Sequence, residues 1–165
     1  QKELGGEVTH TGYLHKEISD PRRALAESLV KKCGKKGSIV VYNATFEKTR
    51  NKELAEAFPD LKEKILAIND RVVDQLTPFK SKALYSVKQS GSASIKNVLP
   101  AFTKLSYAGL DIKNGAEASQ QYADFIAGLM SDNEAKEMFK NLDLYCGQDT
   151  YAMVLLMDIL YIKSK

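Results

Sequence analysis

The stretch from Glu7 to His15 alternates, with Val8, His10, Gly12 and Leu14 on one side and Thr9, Thr11, Tyr13 and His15 on the other. A period of two is that of a strand. The period then lengthens. Leu25, Leu29 and Cys33 recur at four-residue steps behind Asp20-Pro21, a capping acid and a first-turn proline, and Gly34 supplies a stop. Ser38-Ile-Val-Val-Tyr42 is apolar on both sides, as a central parallel strand should be. A helix is expected from about Ala44 to Phe58, with the stripe Phe46, Arg50, Leu54 and Ala57, and Pro59 ends it. Asp60 and Glu63 have the spacing of a capping box for a helix that buries Leu61, Ile65, Ile68 and Val72. Val72-Val73-Asp74 reads as a short strand.

The pattern weakens from Thr77 to Ser92, a stretch rich in Lys and Ser that reads as a long loop or irregular hairpin. Ser94 to Phe102 predicts a helix that kinks or ends early at Pro100. A helix after Gly115 puts Tyr122, Phe125, Ile126 and Leu129 on one face. Ser131-Asp-Asn-Glu134 is a capping box. It opens a helical region that runs to the C-terminus through Leu142, Tyr145, Asp149, Met153, Leu156 and Leu160, with Gly147 marking a bend. The order predicts an α/β layer followed by a helical C-terminal half, in one domain over residues 1–165.

Composition narrows the classes. Hydrophobic content of 44% and charged content of 27% are ordinary for a globular chain. A net charge of +3 is too mild to imply nucleic-acid binding without a local basic patch. Cys33 and Cys146 are far apart and form no ligand-spaced pair; free thiols suit a reducing compartment, so a cytoplasmic location is expected. No apolar run is long enough to span a membrane and no secretory pattern opens the chain, so no membrane partner is expected. The first residue is Gln1, not Met, and the chain is expected to be a fragment of a longer protein.

Two stretches carry candidate chemistry. Tyr145 and Asp149 lie four residues apart and share one helix face. Asn43 and Glu47 follow the tip of the Ser38–Tyr42 strand. Together they suggest one acidic pocket. Each has a plainer reading: a partly buried tyrosine near an exposed acid, and an asparagine helix cap before a core phenylalanine. Lys80, Lys82, Lys88 and Lys96 could track a phosphate backbone, with Tyr85 or Phe79 stacking on a base, or could be a solvated lysine-rich surface. His10 and His15 read as structural or surface residues, Cys146 as packing, and Asp74 as the cap of a strand end or turn.

Asn43-x-x-Phe46-Glu47 and Tyr145-x-x-x-Asp149 resemble the second and third motifs of the ribonuclease-H-like, DEDD-type 3′–5′ exonucleases. The chain is most similar to an uncharacterised bacterial domain family placed in that superfamily. Ser38-Ile-Val-Val-Tyr-Asn43, Phe46-Glu-Lys-Thr-Arg50, Ser94-Ile-Lys96, Val98-Leu-Pro100, Leu105-Ser-Tyr107 and Tyr145-Cys146 with Asp149-Thr150 carry this second likeness. The resemblance implies a ribonuclease-H-like mixed sheet flanked by helices. It also implies two-metal (Mg or Mn) hydrolysis of single-stranded DNA or RNA. Asp149 and Glu47 would be metal ligands, Tyr145 would orient the attacking water, and Asn43 would be site scaffold. Lys96, with Lys88 and Tyr85, would contact the nucleic acid. Two departures stand out. Glu47 occupies a position where the superfamily has Asp, and no Asp-x-Glu follows an apolar strand; Glu3, Glu7 and Glu17 lack that setting. The first motif and its strand are therefore expected upstream of Gln1, and a second chain or an N-terminal segment is expected to complete the sheet. Without that motif the 165-residue chain is expected to be inactive. The alternative is an inactive nuclease fold that binds nucleic acid or protein within a larger chain.

Overall fold

The computed structural model describes residues 5–112 and 114–165; Glu3 lies outside them. It is a mixed α/β fold, mostly helical, with one small parallel sheet. Strand β1 (Ile39–Val41) pairs in parallel with β2 (Val72–Asp74), in the register Ile39 to Val72 and Val41 to Asp74. Both strands fall where the apolar runs predicted them. Among the described residues neither has a second neighbour, so each keeps one unpaired edge, and β1 is half-buried rather than central.

Helix α1 (Arg22–Cys33) starts as expected, although Asp20 caps from one residue further out, accepting from the Arg22 amide at 3.0 Å. Its buried residue is Ala26, and Leu25 is 41% exposed, so the inward face runs one residue later than the Leu25–Leu29–Cys33 stripe. Helix α2 (Ala44–Ala57) is turned in the same way. Its inward face carries Glu47, Asn51, Leu54 and Ala55, while Phe46 is 57% exposed and lies under Arg50. Ala26 and Ala55 pack with Leu61 and with Ile65 of α3 (Lys62–Asp70) into a small core. The Asp60–Glu63 capping box does not form. Asp60 instead takes a two-pronged bond from Arg23 at 2.7 and 2.9 Å.

Arg71, between α3 and β2, holds the turn from α1 into β1. Its guanidinium donates to the carbonyls of Cys33, Gly34, Lys36 and Gly37 at 2.7 to 3.1 Å. Hydrogen bonds from a charged donor are individually worth more than neutral ones. Arg71→Ala is therefore expected to lower stability by about 2 kcal/mol in urea titration. Arg71→Lys should recover less than half of that, because an ammonium cannot span four acceptors with a planar fork.

The Thr77–Ser92 stretch is more ordered than a loop. It takes in all but the first residue of α4 (Leu76–Lys80) and a 3-10 turn, Val87–Gln89. Fully buried Gln89 accepts from the Ser86 amide and donates to the Ser92 carbonyl, so the turn is tied at both ends. Helix α5 (Ile95–Phe102) runs through Pro100, which removes the amide that would bond back to the Lys96 carbonyl, and the helix ends two residues later. Helix α6 (Gly115–Ile126) is capped by Asn114, and it stops before Leu129, which is 74% exposed.

Helix α7 (Asp132–Lys163) is the spine of the C-terminal half. The Ser131–Glu134 capping box forms in both directions. The helix runs unbroken past Gly147, where a bend was expected. Its first half packs Met138, Leu142 and Tyr145 against Phe125 and Ile112. Its second half packs Ala152 and Leu156 against Phe79, Val98 and Leu99. The 7–15 segment forms no strand. It lies along α7 instead: Leu14 joins the first of these clusters, and His10 sits over Gly147. A glycine inside a helix costs about 1 kcal/mol against alanine. A Cβ at Gly147 would meet His10 only at an ordinary contact distance of 3.9 Å, so the close packing does not itself require glycine. His15 is structural as expected, linked to Tyr13 at 3.2 Å and Ser19 at 2.7 Å, with its carbonyl accepting from Tyr122.

Candidate functional site

The Tyr145–Asp149 face of α7 points inward, toward the segment that follows α5. The Gln148 side chain donates to the Ser106 carbonyl at 2.9 Å, and Tyr107 donates its hydroxyl proton to Asp149 Oδ1 at 2.5 Å. Asp149 is half-buried and Tyr145 is buried. The Tyr107 and Tyr145 rings are tilted 54° with centroids 6.2 Å apart. Lys96, in the first turn of α5, places Nζ 5.4 Å from the Tyr107 ring and 5.3 Å from the Tyr145 ring. An ammonium over aromatic faces is attracted by their quadrupoles.

The electrostatics follow from this packing. Burial raises the Asp149 carboxyl above its ordinary value, against the opposing pull of the Tyr107 hydroxyl, the Lys96 charge and the Tyr145 hydroxyl. The same carboxylate, after burial, raises both phenols: Tyr145 is pushed up to about 12 and Tyr107 higher still. The Cys146 thiol is also raised, by partial burial and then by the charges of Asp149 and Asp143, so it is not an activated nucleophile.

The strand-tip half of the expected site is built differently. Asn43 occupies the left-handed region at φ 84, a conformation that asparagine tolerates, and its side chain makes no capping bond. The cap of α2 is Asp74, at the end of β2. Its oxygens accept from the backbone amides of Asn43 and Ala44 at 3.0 Å and of Leu76 at 2.9 Å, so one carboxylate closes the starts of α2 and α4. Tyr42 sends its hydroxyl to the Ala93 carbonyl at 2.7 Å and stacks on Phe79, which is core and not a base platform.

Glu47 lies on the half-buried face of α2, and burial alone raises its carboxyl. Neither Glu47 nor Asp149 perturbs the other, and among the described residues no three of His, Cys, Asp and Glu come together as a metal site. A pair of hard, hydrated cations needs several converging oxygens. These residues by themselves do not fit a two-metal centre.

Lys96 and Tyr107 join Tyr145 and Asp149; Lys88 and Tyr85 do not. Lys88 is exposed on the 3-10 turn, and Tyr85 is engaged by Lys82 and by the Gly91 amide. Tyr107 carried no signal of its own in the pattern. It became visible only as part of the Leu105-Ser-Tyr107 likeness.

Among the described residues no helix is long and apolar enough to cross a membrane. No solved structure matches the chain. A relative, an uncharacterized protein of Mycoplasma genitalium (MG366), is 32% identical over 129 residues, which cover 71% of this chain and 19% of that protein. The family model for a domain of unknown function, DUF2779, matches residues 1–94, which include Asn43 and Glu47 and stop short of Lys96, Tyr107 and the α7 face. On that match the chain belongs to the DUF2779 family.

Proposed function

We propose that the chain is part of a ribonuclease-H-like exonuclease domain within a longer, cytoplasmic protein. It would hydrolyse single-stranded DNA or RNA from the 3′ end. The observation that carries this reading is the meeting of Asp149 and Tyr145 with Lys96 and Tyr107 on one half-buried face of α7. A desolvated carboxylate is a strong oxygen donor, and a neighbouring phenol and ammonium suit a phosphodiester and its attacking water. The magnesium or manganese such chemistry uses would require carboxylates beyond those the described residues gather. We assign these to an Asp-x-Glu on a strand beside the free edge of β1, supplied by an N-terminal segment or a second chain. The 165-residue chain alone is then inactive.

The test is degradation of a 5′-labelled single-stranded oligonucleotide by the longer protein with Mn²⁺. Stepwise shortening that Asp149→Ala abolishes is the expected result. Magnesium-dependent cleavage by the 165-residue chain alone would overturn the assignment of the missing carboxylates. A second reading, an inactive nuclease fold that only binds, is favoured by the bond from Tyr107, which already occupies Asp149 Oδ1. Oligonucleotide binding without shortening would establish it.

A further inference from the structure

The opposite face of α7 carries a groove that the Asp149 site does not use. Its floor follows Lys136, Lys140, Asp143, Gly147, Thr150 and Val154, spaced alternately four and three residues apart along one stripe. At 100° per residue, Gly147 is turned about 200° from Tyr145. The 8–16 segment forms the other wall. Two depressions of about 680 and 380 Å³ meet at His10, which lines both. From Lys136 to Val154 the groove runs about 27 Å along the helix.

Its chemistry is uneven along that length. At the Lys136 end it is lined by Lys16, Lys136, Lys140 and His10, against one carboxylate, Asp143. Lys140 also reaches Glu137 at 3.4 Å, and Lys16 lies over Phe139. The Lys140 pair is well exposed and exchanges readily with a competing anion. At the far end the lining turns to Thr9, Thr11 and Thr150 and to Tyr151, which is 45% exposed.

The geometry points to single-stranded nucleic acid as the occupant. Three lysines gathered at one end of the groove, two on α7 and one on the facing segment, match the phosphates of a backbone, and an exposed tyrosine further along offers a stacking face to an unpaired base. The groove is too long for a lone nucleotide, and the cluster of lysines at one end favours a chain of phosphates over an uncharged partner. This inference shares the nucleic-acid reading above but places binding on a different face, independent of Asp149 and of any metal.

The test is fluorescence anisotropy of labelled oligo(dT) and oligo(rU) with the 165-residue chain, without divalent cations. Wild type should bind with a log–log salt slope near −2, the value for about three phosphate contacts on a single strand. The triple variant Lys16→Ala/Lys136→Ala/Lys140→Ala should weaken binding at least about tenfold and flatten that slope. Tyr151→Ala should weaken it about fivefold or more while leaving the slope unchanged. A charge-matched control, Lys31→Ala/Lys35→Ala/Lys36→Ala, should bind like wild type. Equal binding by the groove variant and wild type, or no binding of either oligonucleotide at low salt, would overturn the proposal. Neither outcome touches the cleavage test on Asp149, so the two readings fail separately. The arm that binds more tightly identifies DNA or RNA.

Discussion

Replacing Asp74 by alanine is expected to lower the stability of the chain by about 3 kcal/mol, more than any other single surface-accessible change considered above. The carboxylate closes three backbone amides, at Asn43, Ala44 and Leu76, and so fixes the exits of both strands into α2 and α4. Alanine would leave those donors without a partner at a sheet end. Asp74→Asn keeps one acceptor oxygen and should lose roughly half as much. The effect also has a pH signature. Burial raises the Asp74 carboxyl, but the bonds from Ala44, Leu76 and Asn43 outweigh it, so in the folded chain it lies below the usual aspartate value. A lowered folded value stabilises the fold above the unfolded pKa of about 3.9, and that contribution is lost as pH falls through the folded value. Wild type and Asp74→Ala should therefore differ most above about pH 4 and converge in stronger acid. A difference that is constant with pH would mean that the carboxylate's charge plays no part.

The features that could be read in the sequence are those with local causes. The Ser131–Glu134 capping box, the stop at Gly34 and the paired runs Ile39–Val41 and Val72–Asp74 each rest on a few neighbouring residues, and each is found in the fold. Asp74 was legible as a cap, although nothing local showed that it would serve α2 in place of Asn43. What failed depended on distant partners. The alternation from Glu7 to His15 fits a strand, but the segment meets helix α7, not another strand, and His10 settles over Gly147. Phe46 dominates the apolar pattern of α2 and so misplaces its inward face by one residue; the side that turns in carries Glu47 and Ala55. Spacing gave Tyr145 and Asp149 a common face, and the structure adds Lys96 and Tyr107 from separate parts of the chain. No periodicity could have joined residues 96, 107 and 149, because their meeting depends on how α5 docks on α7.

Asp149→Asn separates the functional from the structural role of that docking. In the longer protein it should reduce exonuclease activity by at least about 100-fold, beyond what loss of a supporting residue around a metal usually costs. In the same variant the fold should become more stable near neutral pH. Burial raises the Asp149 carboxyl in the folded chain, and the hydroxyl of Tyr107 and the charge of Lys96 offset only part of that. A raised folded value favours the fold below the unfolded pKa and loses that advantage as pH rises through the folded value. At neutral pH ionisation of Asp149 is therefore less favourable in the folded chain than in the unfolded one. Asparagine keeps an oxygen for the Tyr107 hydroxyl and never ionises. Thermal unfolding should show the two proteins nearly equal near pH 4 and the variant higher at pH 7. Higher stability with lost activity would mark Asp149 as a residue held for chemistry at the expense of the fold. Lower stability at pH 7 would instead make its charge a structural partner of Lys96, and would move the case toward a fold that only binds.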